Sequence, residues 1–207
     1  MSDYIFLLPL AVALLLGVMS PGPSFLIVAQ TAASKSRVDG VACSFGMGVG
    51  AAIFAVIASL GLHVVLESVP MLYIALKVIG GAYLCYLAFR IWKTAEQPMQ
   101  SVEPMQTNQS EVTRSFIVGL TTQLSNPKTA FAFIGIFAAL LPASIPQYAY
   151  ILIAILAFVI DTVWYSLVSF LLSTQKAQRT YARYKKHICR TSGTLLGVIG
   201  LKLASNQ

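Results

Sequence analysis

The chain has 207 residues, of which 57% are hydrophobic and only 10% charged, and its formal net charge is +7. Soluble domains carry roughly 25% charged residues, so this composition excludes a soluble globular protein and leaves no room for a sizeable soluble domain beside the apolar segments. The basic residues gather in a few loops, and no interleaved aromatic-basic surface lies outside the apolar runs, which fits membrane anchoring and argues against nucleic-acid binding.

Six apolar spans are expected in chain order: Tyr4–Thr31, Val38–Val65, Pro70–Trp92, Ser115–Leu141, Gln147–Ser173 and Ser192–Ser205. The first opens on the acidic Met1-Ser2-Asp3 and stays apolar past Leu10 to Ala29, so it reads as a span and not as a cleaved signal peptide. The last is short against the ~20 residues a helix needs to cross a bilayer. Between the third and fourth lies a polar linker, Lys93 to Thr113, with Glu96, Pro98, Glu103, Pro104 and Glu111. The organisation predicted is a single transmembrane domain over residues 1–207: a first repeat at 1–92, a cytoplasmic linker at 93–113 and a second repeat at 114–207.

Lys and Arg in short loops set orientation. Lys35 and Arg37 follow the first span, Arg90, Lys93 and Arg114 flank the linker, and six basic residues from Lys176 to Arg190 precede the last span. The turns Leu66–Val69 and Pro142–Pro146 hold none. The three basic loops are therefore predicted to face the cytoplasm, with both termini on the periplasmic side. Three spans per half then insert in opposite directions. The fold class expected is an all-α integral membrane protein of six transmembrane helices, built as two inverted three-helix repeats whose first and fourth helices are broken.

The breaks are Ser20-Pro21-Gly22-Pro23 and Ser125-Asn126-Pro127-Lys128, in matching places of the two halves. Proline removes a backbone donor, and in lipid such a break is tolerated only where protein or a cavity surrounds it. One proline alone is most simply a kink. A matched pair points to a transport site. Ser20 is expected to cap a new half-helix with Pro21 first, and Gly22 gives a ligand room to approach the backbone. Asn126 is expected to cap the other, with Pro127 first and Lys128 in the first turn. Two half-helix N-termini facing each other make a seat for a carboxylate, and Lys128 adds a full charge. Ser20, Pro21, Gly22, Pro23, Asn126, Pro127 and Lys128 are thus the candidate substrate-binding residues.

Asp161 is the acidic residue expected deep in a span, and such a group is a functional candidate by default. It is read as a proton-coupling site, with Lys77, the basic residue in mid-span, as its candidate ion-pair partner; a purely structural pair is the plainer alternative. Gln30, Thr121, Thr122 and Gln123 lie near the breaks and are read as interhelix hydrogen-bonding groups before ligand contacts. Gly46 and Gly50, Gly80 and Gly81, and Gly193, Gly197 and Gly200 are read as helix-packing positions, a homo-oligomer contact being the minority reading. His63 pairs most simply with Glu67 at the interface. The basic run before the last span anchors topology and attracts anionic lipid. Cys43, Cys85 and Cys189 form no metal or disulfide pattern, and neither a catalytic group, a metal nor a cofactor is expected.

Four stretches together resemble the LysE/RhtB superfamily of bacterial amino-acid exporters: Met19-Ser20-Pro21-Gly22-Pro23, Lys77 with Gly80-Gly81-Ala82-Tyr83-Leu84, Gly119 with Asn126-Pro127-Lys128, and Asp161. They run in order along essentially the whole chain. Ala88 departs from the resemblance, standing where that family commonly has glycine. The resemblance implies a bacterial inner-membrane protein that exports small amino acids by proton antiport. Leu60-Gly61-Leu62-His63 is most similar to the threonine/homoserine branch. Substrate, protons and membrane lipid are the partners implied. The alternatives are export of another small metabolite or a divalent metal ion, the latter needing several carboxylate, His or thiol ligands, and an integral membrane enzyme, which needs acid/base groups gathered at one depth.

Overall fold

A computed structural model of the chain describes residues 4–68, 70–97, 111–142, 145–172 and 175–205. Among the described residues the regular elements are α-helices: α1 Leu7–Met19, α2 Pro23–Ser34, α3 Arg37–Ser68, α4 Pro70–Thr94, α5 Val112–Leu124, α6 Pro127–Leu140, α7 Ala149–Leu172 and α8 Gln175–Ser205. Most of the expected linker, residues 98–110, lies outside them.

Both expected breaks are present. α1 and α2 are bent by 62° about Ser20-Pro21-Gly22, and Ser125-Asn126 separates α5 from α6. The cause is the same at each. A residue before proline is pushed out of the helical region, and Ser20 (ψ 117°), Gly22 (ψ −167°) and Asn126 (ψ 105°) are all extended. Proline then opens the next helix at Pro23 and Pro127, where its missing N–H has no partner to lose.

The α3 and α7 helices, and α1 with α2 taken together, are long and apolar enough to cross a membrane. The last expected span is not a short helix after a basic loop. The basic segment and the span form one 31-residue helix, α8. Residues 175–190 contain no Gly or Pro and are rich in Lys, Arg, Ala and Gln, all good helix formers.

α3 lies along α5 and α7, while α4 lies along α6 and α8. These crossings are close because glycines face backbone. A Cβ at Gly46 would overlap the Phe116 carbonyl, and one at Gly119 would overlap that of Cys43. On α8, Gly193 faces Trp92 and the Ala88 carbonyl, and Gly200 faces the Gly81 carbonyl. Ala88 is itself buried, opposite Gly197, so the glycine that the resemblance expects on α4 is matched here by glycines on α8. These glycines face neighbouring helices of the same chain. Large apolar side chains such as Ile57, Phe89, Ile151 and Val163 point outward, while Ala51, Ala55 and Ala157 are buried. That arrangement suits a lipid surround, where small residues let helices approach.

Candidate functional site

The N-terminal turns of α2 and α6 meet. The Asn126 side chain accepts from the Lys128 backbone N–H at 3.0 Å, capping α6. Its Nδ2 donates to Ser24 Oγ on α2 at 3.0 Å. Lys128 Nζ crosses to the other break and donates to the Ser20 carbonyl at 2.9 Å, a C-terminal carbonyl of α1 that has no helical partner. The capping expectation therefore holds for Asn126 and fails for Ser20. Ser20 ends α1, Gly22 is the N-cap of α2 without a side-chain bond, and Pro23, not Pro21, is the first helical residue. With two prolines to choose from, the helix starts at the second, because Pro23 keeps Gly22 extended as well.

From Ser24 the network continues inward. Ser24 Oγ donates to Gln123 Oε1 at 2.9 Å, and Gln123 Nε2 donates to Asp161 Oδ2 at 2.6 Å. Tyr165, one turn after Asp161 on α7, lines the same pocket as Ser24. Ser24, Gln123, Asn126, Asp161 and Tyr165 are all buried, so each polar group there depends on the others for its partners. Gly50 makes room for this arrangement, since a Cβ on it would press on the Gln123 side chain.

The two breaks sit between two cavities. A small one of about 40 Å³ is bounded by Leu14, Gly17, Ala132, Phe133 and Ile136 on its apolar side and by Ser24, Asn126, Lys128, Asp161 and Tyr165 on its polar side. It is roomy enough for a water molecule, which takes about 30 Å³. A larger one of about 630 Å³ opens beside Tyr86, Arg90 and Thr94. Ser20, Gly22, Asn126 and Lys128 line both.

Asp161 is thus brought together with Asn126 and Lys128 on one pocket. Lys77 lies on α4, and its side chain is outside the described residues, as are those of His63 and Glu67. Asp161 has Gln123 as its hydrogen-bond partner, and Lys128 attracts it across the pocket. Sequence reasoning does not find Ser24 and Tyr165, and it ranks Gln123 as an interhelix bond only. Asp39 is a second buried acid. It stands in the first turn of α3, where Ser36 Oγ accepts from its backbone N–H and Ser115 Oγ of α5 donates to its carboxylate at 3.0 Å. The signal was a capping box, Ser36-x-x-Asp39.

A buried acid in a hydrogen-bonded polar cluster, placed where two helix breaks meet between two cavities, is an arrangement suited to a membrane transport protein. The LysE type translocator family matches residues 15–207. The threonine efflux protein of Escherichia coli (strain K12) is 32% identical over 95% of this chain and 96% of its own length. That of Salmonella typhimurium is 32% identical over 91% of this chain and 92% of its own. An uncharacterized membrane protein of Haemophilus influenzae is 30% identical over 97% and 96%. No solved structure matches. The chain belongs to the LysE type translocator family and is a multi-pass membrane transporter.

Proposed function

We propose that this protein exports a small amino acid, threonine first among the candidates, across the bacterial inner membrane by proton antiport with alternating access. The observation that carries the reading is the continuous chain of bonds from the Lys128 backbone N–H through Asn126, Ser24 and Gln123 to Asp161. The similarity to threonine efflux proteins supports the choice of amino acid. In this reading α1–α2, α3 and α4 form one three-span repeat and α5–α6, α7 and α8 the inverted other, joined by the cytoplasmic linker, with both termini periplasmic and the basic loops inside.

The substrate carboxylate sits at the facing N-terminal turns of α2 and α6, beside Gly22, Asn126 and Lys128. Gly22 has φ −156°, which any residue adopts. Its use is space: a Cβ there would stand 3.4 Å from Lys128 Nζ. Asp161 takes up a proton from outside and releases it inside. Gln123 makes that event felt at the breaks. As a carboxylate, Asp161 accepts from the Gln123 amide N–H. Once protonated it gains an O–H donor while its other oxygen still accepts, so Gln123 is free to turn its amide, offering its oxygen to Asp161 and its NH₂ to Ser24. In that arrangement Ser24 no longer donates to Gln123 and accepts from both amides.

The test is efflux of radiolabelled threonine from loaded cells with and without this protein, with and without an uncoupler. Faster efflux that disappears when the proton gradient collapses is expected. Unchanged efflux of threonine and other amino acids, with the protein present in the membrane, would sink the proposal.

A further inference from the structure

We propose that Arg90 captures a carboxylate-bearing substrate from the wall of the larger cavity, beside the site at the breaks. The inference rests on the transport reading above, and it concerns where the substrate is captured and not where it is carried. The cavity of about 630 Å³ is bounded on one side by a single face of α4, on which Tyr83, Tyr86, Leu87, Arg90, Ile91 and Thr94 fall at helical spacing. The Tyr83 ring lies 5.8 Å from that of Phe131, one turn after Lys128 on α6. Arg90 is seven residues further along α4, about 10 Å along the helix axis at ~1.5 Å per residue.

The charge in this cavity is of one sign. Arg90 and Lys128 line it, and no Asp or Glu does among the described residues. The acid next along the chain, Glu96, is engaged elsewhere, bound by Arg190 at 2.9 Å and by Lys186 at 3.4 Å from α8. Glu111 pairs with Arg114. A cleft lined by one sign of charge concentrates counter-ions and raises their capture rate, and a guanidinium offers a carboxylate a two-pronged set of donors. Tyr83, Tyr86 and Phe131 supply flat apolar walls that exclude nothing by charge. The ligand class is therefore a small molecule carrying a carboxylate, and its amine faces no acid until it nears Asp161.

Arg90 could instead be only a topology anchor like its neighbour Lys93, which does not line the cavity. The two readings separate in one experiment. Initial rates of threonine efflux are measured against internal threonine concentration for the full-length wild type, Arg90→Gln, Arg90→Lys and Lys93→Gln, with membrane levels matched. Arg90→Gln is expected to raise the half-saturating concentration roughly three- to tenfold with little loss of maximal rate, as removing a steering charge does. Arg90→Lys should fall between it and the wild type, and Lys93→Gln should match the wild type. Equal behaviour of Arg90→Gln and Lys93→Gln overturns the site while leaving transport intact. No efflux by the wild type overturns the transport reading and this inference with it.

Discussion

Lys128 Nζ and the carbonyl oxygen of Ser20 are 2.9 Å apart although 108 residues separate them in the chain. One side chain thereby ties the break in the second half of the molecule to the break in the first, between the two cavities. Replacing Lys128 by Met keeps the bulk and removes the charge. The Ser20 carbonyl then loses its partner, a loss worth about 1–3 kcal/mol. Efflux is expected to fall at least tenfold with the protein still present in the membrane, as measured by transport against immunoblot. Lys128→Arg should recover part of the activity. A Lys128→Met protein that transports normally would remove Lys128 from the site.

Asp161 and Gln123 are expected to separate coupling from transport. Asp161→Asn keeps shape and hydrogen-bonding capacity but cannot carry a proton. It should exchange internal for external threonine at equal pH and lose its response to an imposed pH gradient. Gln123→Leu should give the same uncoupled pattern with added instability of about 1–3 kcal/mol, because Ser24 and Asp161 both lose a partner. Counterflow and gradient-driven efflux from the same vesicles read the two quantities. Retention of full gradient-driven efflux in Asp161→Asn would end the coupling role.

Asn126 does two jobs that one substitution separates. Asn126→Asp keeps the oxygen that caps α6 and loses the donor to Ser24, whereas Asn126→Ala loses both. Thermal melting in detergent should place Asn126→Ala lower than Asn126→Asp by an amount near the ~1 kcal/mol of a helix cap. Both should be impaired in efflux. If Asn126→Asp transports as well as the wild type, the Ser24 bond is dispensable.

Two glycines on α3 offer a matched comparison of packing. Gly46 has the Phe116 carbonyl where its Cβ would go, and Gly61 has nothing within 4 Å. Gly46→Ala is expected to cost about 1–3 kcal/mol through forced separation of α3 from α5. Gly61→Ala should be neutral or stabilising by up to ~1 kcal/mol, since alanine is the better helix former. Melting temperatures of the two purified variants decide the matter.

The breaks were legible because proline acts on its immediate neighbour, a local rule that needs no tertiary knowledge. Asp161 stood out because an acid in an apolar run is costly, wherever the run ends up. Gln123 was legible as an interhelix bond, but its partners, and the roles of Ser24 and Tyr165, were not, for the opposite reason. Their roles come from partners in other helices, 99 residues away for Ser24 and Gln123 and 38 for Gln123 and Asp161, and a serine or glutamine in a span carries no sign of which helix it will face. The start of α2 was misplaced by one Pro-X step because two prolines satisfy the same local rule. The helical basic segment of α8 was hidden by its charge, which reads as a loop when helix propensity is given less weight than hydropathy.

The glycine crossings join helices from opposite ends of the chain. α3 is held against α5 and α7, and α4 against α6 and α8. The helices therefore pack as two groups that do not follow the two sequence halves, and from α3 to α8 the chain crosses between the groups at every joint, Ser125-Asn126 being the one at the site. A rocking motion that exposes the site to each side in turn would bend at those joints. Cross-links within a group should be harmless, and a single cross-link between groups should arrest transport.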